Sequence, residues 1–352
     1  MKFPRFLGPL SGSSSAMRTL VTGVAASIAI GSTSSAAIMA TGMNSHLVSV
    51  YSNPFSAATA TTDQTASQAL ANVVNGRESR MTSGSVSGRI EGNAATGYMR
   101  FALGGPVAVG TVITSHSVGA GFDSPMAHTV LLDNQPIASG SGTQDIHEIK
   151  VTPLASLATG STLELDFSLS SFGGSTTKYA DFNEILVLPD TLERIPLAGT
   201  PTVSSTSFGT AAGLYDLTGG LATNGGWAGT SGSSPMFELD FGSVKTINAL
   251  LVADYENALG VDVDILNDLN VVVANVVTTN SSASAATYGD FGVIKFITPV
   301  STSKLTFQFH DTTGHTSGLR EVIAFTVVPE PAALSLFVAG SFAIWLTGRR
   351  RR

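Results

Sequence analysis

Period-two alternation in short runs constrains this chain more than any other feature. Leu163-Glu164-Leu165-Asp166-Phe167-Ser168-Leu169 is the longest run, and Met99 to Leu103, Phe237 to Phe241 and Leu305 to Phe309 repeat the pattern. Successive side chains of a strand point to opposite faces, so this spacing buries one face and wets the other. Clusters of Gly, Ser, Thr and Asn bound the runs, as they bound hairpins. No sustained helical period occurs between residues 45 and 328. The expected class is all-β, built from antiparallel β-sandwiches of the jelly-roll kind.

The pattern occurs twice. Met99 to Leu103 matches Phe237 to Phe241, and Val109 to Ile113 falls on Ile247 to Leu251, both at an offset of 138. Leu163 to Leu169 falls on Leu305 to Asp311 at 142, and Phe182 to Leu188 on Leu319 to Phe325 at 137. Order is kept while the offset drifts by a few residues, which reads as a tandem duplication with altered loops. The expected units are two tandem β-sandwich domains, 42–190 and 202–328, joined by a stretch punctuated by Pro189, Pro196 and Pro201. Residues 41–68 read as a first strand plus a loose lead-in.

Composition excludes several chemistries. The 352 residues include no cysteine, which removes disulfide scaffolds, thiolate metal sites and thiol catalysis. Charged residues are 12% and aromatic residues 7%, too few for a coiled coil and unlike a nucleic-acid binder.

The two ends read as addresses. Lys2, Arg5 and Arg18, an apolar run from Leu20 to Ile30, and small residues through Ala37 form a secretory signal peptide, residues 1–37. At the other end, residues 329–352, Pro329-Glu330-Pro331 precedes an apolar stretch from Ala332 to Gly348 and then four arginines. Seventeen residues at about 1.5 Å each reach about 25 Å, enough to cross a thin hydrocarbon layer as a transmembrane helix. The arginines hold that end on the cytoplasmic side, with the body beyond the membrane.

This tail resembles the PEP-CTERM sorting signal of Gram-negative bacteria over about the last 25 residues. The resemblance implies recognition of Pro329, Glu330 and Pro331 by an exosortase-type enzyme, with Arg349, Arg350, Arg351 and Arg352 as a stop-transfer cluster. It further implies a transient stay in the cytoplasmic membrane and delivery to the cell surface or extracellular matrix. Setting aside Lys2, Arg5, Arg18 and the terminal arginines from 18 basic residues leaves 11 against 25 acidic ones. An acidic body repels phosphate backbones, so nucleic acid is not an expected partner.

Leu214-Tyr215-Asp216-Leu217-Thr218-Gly219-Gly220, Trp227, Phe237 to Asn248 and the closing Leu319 to Phe325 resemble a galactose-binding-like (discoidin, F5/8 type C) domain. The match covers both ends of 205–327, with the middle unmatched. The first copy lacks the tryptophan and the Asp-Phe-Gly, and joins this family through the repeat. The resemblance implies an eight-stranded jelly roll, mostly non-enzymatic, that binds glycans, lipids or proteins through loops at one end. Many members hold calcium between an early loop and the final strand. On that basis Asp216 and Glu321, and Asn75 and Glu184 in the first copy, are the calcium candidates. The other reading of both glutamates is hydrogen bonding to loop amides. Trp227 lies in a Gly-rich segment, where it either offers a face to a sugar as a ligand-binding residue or packs under the sandwich, the commoner fate of tryptophan.

Catalytic patterns are sparse. No His-Glu-x-x-His, Gly-x-Ser-x-Gly elbow or Gly-Lys-Ser/Thr loop fits a strand-to-helix setting. His310 and His315 read as a solvated loop pair, and neighbouring His147 and Glu148 point to opposite faces. Asp254, Glu256, Asp262 and Asp264 are the carboxylates available for glycoside chemistry, with Asp262 and Asp264 on one solvent face. The expected function is an exported, non-enzymatic protein that binds or packs within extracellular polysaccharide. The alternatives are a surface-layer protein acting through protein–protein contacts and an exported glycan hydrolase.

Overall fold

The computed structural model describes residues 38–79, 88–117, 126–142, 146–171, 173–220, 226–230, 234–254, 261–278, 288–310 and 318–329. Among them no α-helix occurs, and three short 3-10 turns interrupt the strands. Three strands lead in: β1 (Ile38–Gly42), β2 (Val48–Val50) and β3 (Arg77–Ser79). The first half is built on β4 (Thr96–Ser117), β5 (Met126–Leu132), β6 (Gln135–Gly142), β7 (Ile146–Ser168) and β8 (Glu184–Leu188). The short strands between the halves include β9 (Leu192–Arg194) and β10 (Thr218–Gly220). The second half is built on β11 (Met236–Asp254), β12 (Asp262–Leu266), β13 (Val272–Thr278), β14 (Tyr288–Phe309) and β15 (Gly318–Val327).

The two halves share strand order and register. The first runs β8-β4-β7-β5-β6 and the second β15-β11-β14-β12-β13, all antiparallel. Phe101 stands opposite Leu163 as Leu239 stands opposite Leu305. Val130 stands opposite Leu165 and Ala138 as Ile265 stands opposite Phe307 and Ala274. Glu184 stands opposite Ser115 as Glu321 stands opposite Ala253. Phe101 and Leu239, Leu163 and Leu305, and Glu184 and Glu321 are positions that the sequence offsets align.

Each long hairpin bends at its middle. The β11–β14 ladder loses register between Asp240 and Lys245 and again between Ile247 and Ala249. The β4–β7 ladder does so between Pro153 and Ala158 and between Gly160 and Thr162. Such irregularities let one strand serve two packed sheets. One part of β11 carries β15 and the other part of β14 carries β12, so the flanking strands change at the bend. The far ends return to each other: the Thr278 hydroxyl donates to Asp254 Oδ2 at 2.6 Å. Trp227, paired with Leu319, packs edge-on against Phe237 at 5.6 Å. The second half therefore has a bend end and an opposite end, where Asp254, Asp262, Thr278 and Phe309 lie.

Two apolar clusters fill the body. One lies within the first half, from Phe55 to Val187. The other fills the second half and takes in Ile113, Ile149, Leu186 and Leu188 of the first. In β8, Ile185 and Val187 face the first cluster while Leu186 and Leu188 face the second. That strand is buried on both faces, which is why Glu184 to Leu188 reads as a continuous apolar run after its first residue.

Pairing also crosses between the stretches that the sequence separates at 190–202. β1 pairs with β13, β2 with β14 and β9 with β15. Residues 42–50 thus lie on strands of the second half. Two further pairings are reciprocal: β3 pairs with the start of β14, Arg77 opposite Asp290, and β10 pairs with the start of β7, Thr218 opposite Glu148.

Candidate functional site

The reciprocal pairings mark corresponding places in the two halves. In the first half a 3-10 turn, Leu70–Val74, ends at Asn75, and Gly76 then takes a φ of +78°. The Gly76 amide donates to Glu184 Oε2 at 2.9 Å. In the second half a 3-10 turn, Ala211–Leu214, ends at Tyr215, and Leu217 takes a φ of +64°. The Leu217 amide donates to Glu321 Oε1 at 3.1 Å. Both glutamates are fully buried on the last strand of their half. A left-handed residue after a tight turn aims its N–H inward, and a buried carboxylate accepts it. The next residues then form β3 or β10 and cross to the other half.

Of the nominated calcium residues, each glutamate accepts from a loop amide. Asn75 and Asp216 stand one residue before the donating amides, Asn75 half-buried and Asp216 exposed. Among the described residues no three His, Cys, Asp or Glu side chains converge on a metal position. A calcium ion at either place needs several further oxygens.

Trp227 packs under the sandwich. It is fully buried, its Nε1 donates to the Ser205 carbonyl at 2.8 Å, and Phe237 and Phe309 cover its ring. Neither face is offered to a ligand in this structure. Close packing at Gly226, whose added Cβ would lie 2.4 Å from Arg320 Cα, holds this segment against β15.

Of the carboxylates nominated for hydrolysis, Asp262 and Asp264 share a face, where Asn275 donates to both at 2.7 and 3.0 Å and His310 lies 3.1 Å from Asp264. Asp254 is buried and accepts from the Thr278 hydroxyl, which in turn accepts from the Val261 amide beside Asp262, and Glu256 lies outside the described residues. His315, Glu330, Pro331 and Arg349 to Arg352 also lie outside them, whereas Pro329 is described and exposed. No described helix is long and apolar enough to cross a membrane.

Sequence reasoning missed three groupings. His116 and His128 stack as a buried edge-to-face pair, 5.1 Å apart, with His116 also lying flat on Phe182. Residues 12 apart on β4 and β5, which β7 separates in the sheet, carry no local motif, so only the fold reveals them. Asp190 accepts from Lys295 at 2.6 Å and from the Tyr51 hydroxyl, tying lead-in, linker and second half together. Arg194 lies over the Tyr215 ring at 4.6 Å and donates to the Tyr215 carbonyl, beside an open groove of about 650 Å³ that Pro196, Leu197, Pro201 and Ala212 also line. The Tyr215 hydroxyl donates to the Ile195 carbonyl at 2.6 Å, and burial pushes its phenol up to about 12.

No family model and no curated protein matches this chain. Solved structures do. A fucolectin from striped bass (Morone saxatilis) serum is 14% identical, with 79% of this chain and 99% of that chain covered and a TM-score of 0.30. The CBM32 of AlyQ, in complex with 4,5-unsaturated mannuronic acid, is 18% identical, covering 38% of this chain and 98% of that one at a TM-score of 0.29. The family 32 CBM of Clostridium perfringens NanJ, in complex with galactose, is 12% identical, covering 38% and 99% at a TM-score of 0.29.

Proposed function

We propose that this chain is an exported, non-catalytic surface or matrix protein whose two tandem jelly-roll halves bind extracellular polysaccharide through loops beside Glu184 and Glu321. The observation that carries the reading is the repeated clamp, Glu184 on Gly76 and Glu321 on Leu217. Each clamp fixes an early loop to the rigid last strand, and rigid scaffolds with fixed loops are how sandwiches present binding sites. The described stretch from Thr218 to Gly220 beside the second clamp is Thr-Gly-Gly, and Asn75 and Ser79 flank the first. Thr, Asn and Ser side chains hydrogen-bond hydroxyl-rich ligands without strong charge.

Export rests on the sequence of both ends: a signal peptide at 1–37 and a tail that an exosortase-type enzyme would process near Pro329-Glu330-Pro331. The test is binding of the full chain, purified in mild detergent, to a panel of neutral and acidic polysaccharides with and without calcium. Saturable binding to at least one polysaccharide supports the reading. No binding across the panel, with self-association of the protein, replaces it with a surface-layer role. Retention of the tail on secreted protein carrying Glu330→Ala, against its loss in the parent, tests the sorting step.

A further inference from the structure

Large apolar side chains are exposed at one end of the second half. Among the described residues nine stand out in this way, and six of them, Met43, Leu47, Val244, Leu269, Val271 and Ile297, belong to the bend end. Leu269 is 77% exposed, Val244 67% and Ile297 56%. The pairings place these six close together. The Met43 amide donates to the Val273 carbonyl, beside Val271, and the Leu47 carbonyl accepts from Ile297 and Thr298. Asp268, beside Leu269, accepts from the Ser303 amide and hydroxyl and donates through its own amide to Thr302. Lys245, beside Val244, stands opposite Thr302.

The chain leaves this same end. Asn248, in the bulge of β11 that faces the Ile297 segment, accepts from the Val327 amide at 3.0 Å. The Val328 amide then donates to the Thr191 carbonyl, and only Pro329, Glu330 and Pro331 separate that point from the apolar stretch beginning at Ala332. The four steps from Val328 to Ala332 reach at most about 14 Å. A bilayer holding 332–348 would therefore lie within that distance of Val328. Exposed patches of this kind mark interaction sites.

We propose that the bend end is a membrane-facing surface, and that Leu47, Val244, Leu269 and Ile297 enter the lipid interface while the tail is attached. The inference rests on the reading of 332–348 as a membrane span. It makes the apolar end useful before processing and leaves the opposite end of the second half pointing away from the bilayer.

The chain has no cysteine, so single cysteines report one position each. Leu269→Cys, Ile297→Cys and, as a control at the opposite end, Met236→Cys would be labelled with a polarity-sensitive fluorophore. The full chain would be reconstituted in phosphatidylcholine vesicles, with flotation measured beside fluorescence. The expected result is flotation, with blue-shifted emission and quenching by a shallow spin-labelled lipid at 269 and 297 but not at 236. Flotation with all three positions reporting water overturns the docking surface and leaves the span reading intact. Loss of flotation overturns the span reading and the surface with it. Circular dichroism matching the unlabelled chain guards each variant against misfolding.

Discussion

Acid should destabilise this protein through His128 before its carboxylates titrate fully. The ring is 5% exposed, lies edge-on to His116 and Phe182, and has no hydrogen-bond partner at either nitrogen. Burial first, and the positive charge of Lys150 second, hold its imidazole down to about 4. The unfolded chain takes up that proton near 6.5, the folded chain only near 4, so the unfolded state binds more protons between those values. Stability is thus fully present above about pH 6.5 and is lost as pH falls toward 4. The full difference corresponds to about 3 kcal/mol, with about 2.5 kcal/mol already lost at pH 4.5. Replacing His128 by Phe keeps a ring in the cluster and removes the titration. Urea unfolding of parent and His128→Phe at pH 7.5 and 4.5 measures the change directly, provided m stays constant. The parent should lose about 2.5 kcal/mol more than the variant between the two pH values. Parallel pH dependence in the two proteins would refute the reasoning, since it would mean that His128 charges freely in the fold.

Three further outcomes follow from the packing. Glu321→Ala should destabilise by about 1–3 kcal/mol and speed amide exchange at Leu217, while Glu321→Gln should keep most of the bond; urea melts and exchange at that amide separate the two. Gly226→Ala should cost clearly more than Gly174→Ala. Both glycines have a left-handed φ, +78° and +76°, but only the first would drive a Cβ into backbone, so thermal melts should differ. Trp227→Ala should cost about 3–5 kcal/mol, and with Trp345 replaced by Phe the remaining indole should resist iodide quenching, as a buried ring does.

Much of the fold was legible because period-two runs encode strand faces directly. Phe237 to Phe241 and Leu305 to Phe309 pair as the alternation requires, Phe237 opposite Phe307. Aligned positions such as Phe101 and Leu239 also stand in matching register, opposite Leu163 and Leu305. Pairing across the halves was not legible. β3 and β10 are three residues each, and nothing local tells Thr218 to seek Glu148. β1 likewise finds β13 across more than 200 residues, a contact set by edge availability and not by its own sequence. At the candidate site, Glu184 and Glu321, nominated as counterparts, each accept from a loop amide, and the donors lie one residue beyond Asn75 and Asp216. The donor is a backbone amide turned inward by a left-handed residue, and such a turn at Leu217 has no side-chain signal. Trp227 was legible only as two alternatives, because a glycine-rich neighbourhood serves an exposed loop and a tight packing site equally.

Hydrogen exchange of the full chain with and without a bound polysaccharide tests the central claim most directly. The account predicts protection at the loops beside the two clamps, around Asn75 to Ser79 and Asp216 to Gly220, with the bend end unchanged. Protection confined to the bend end, or none at saturating polysaccharide, would contradict it.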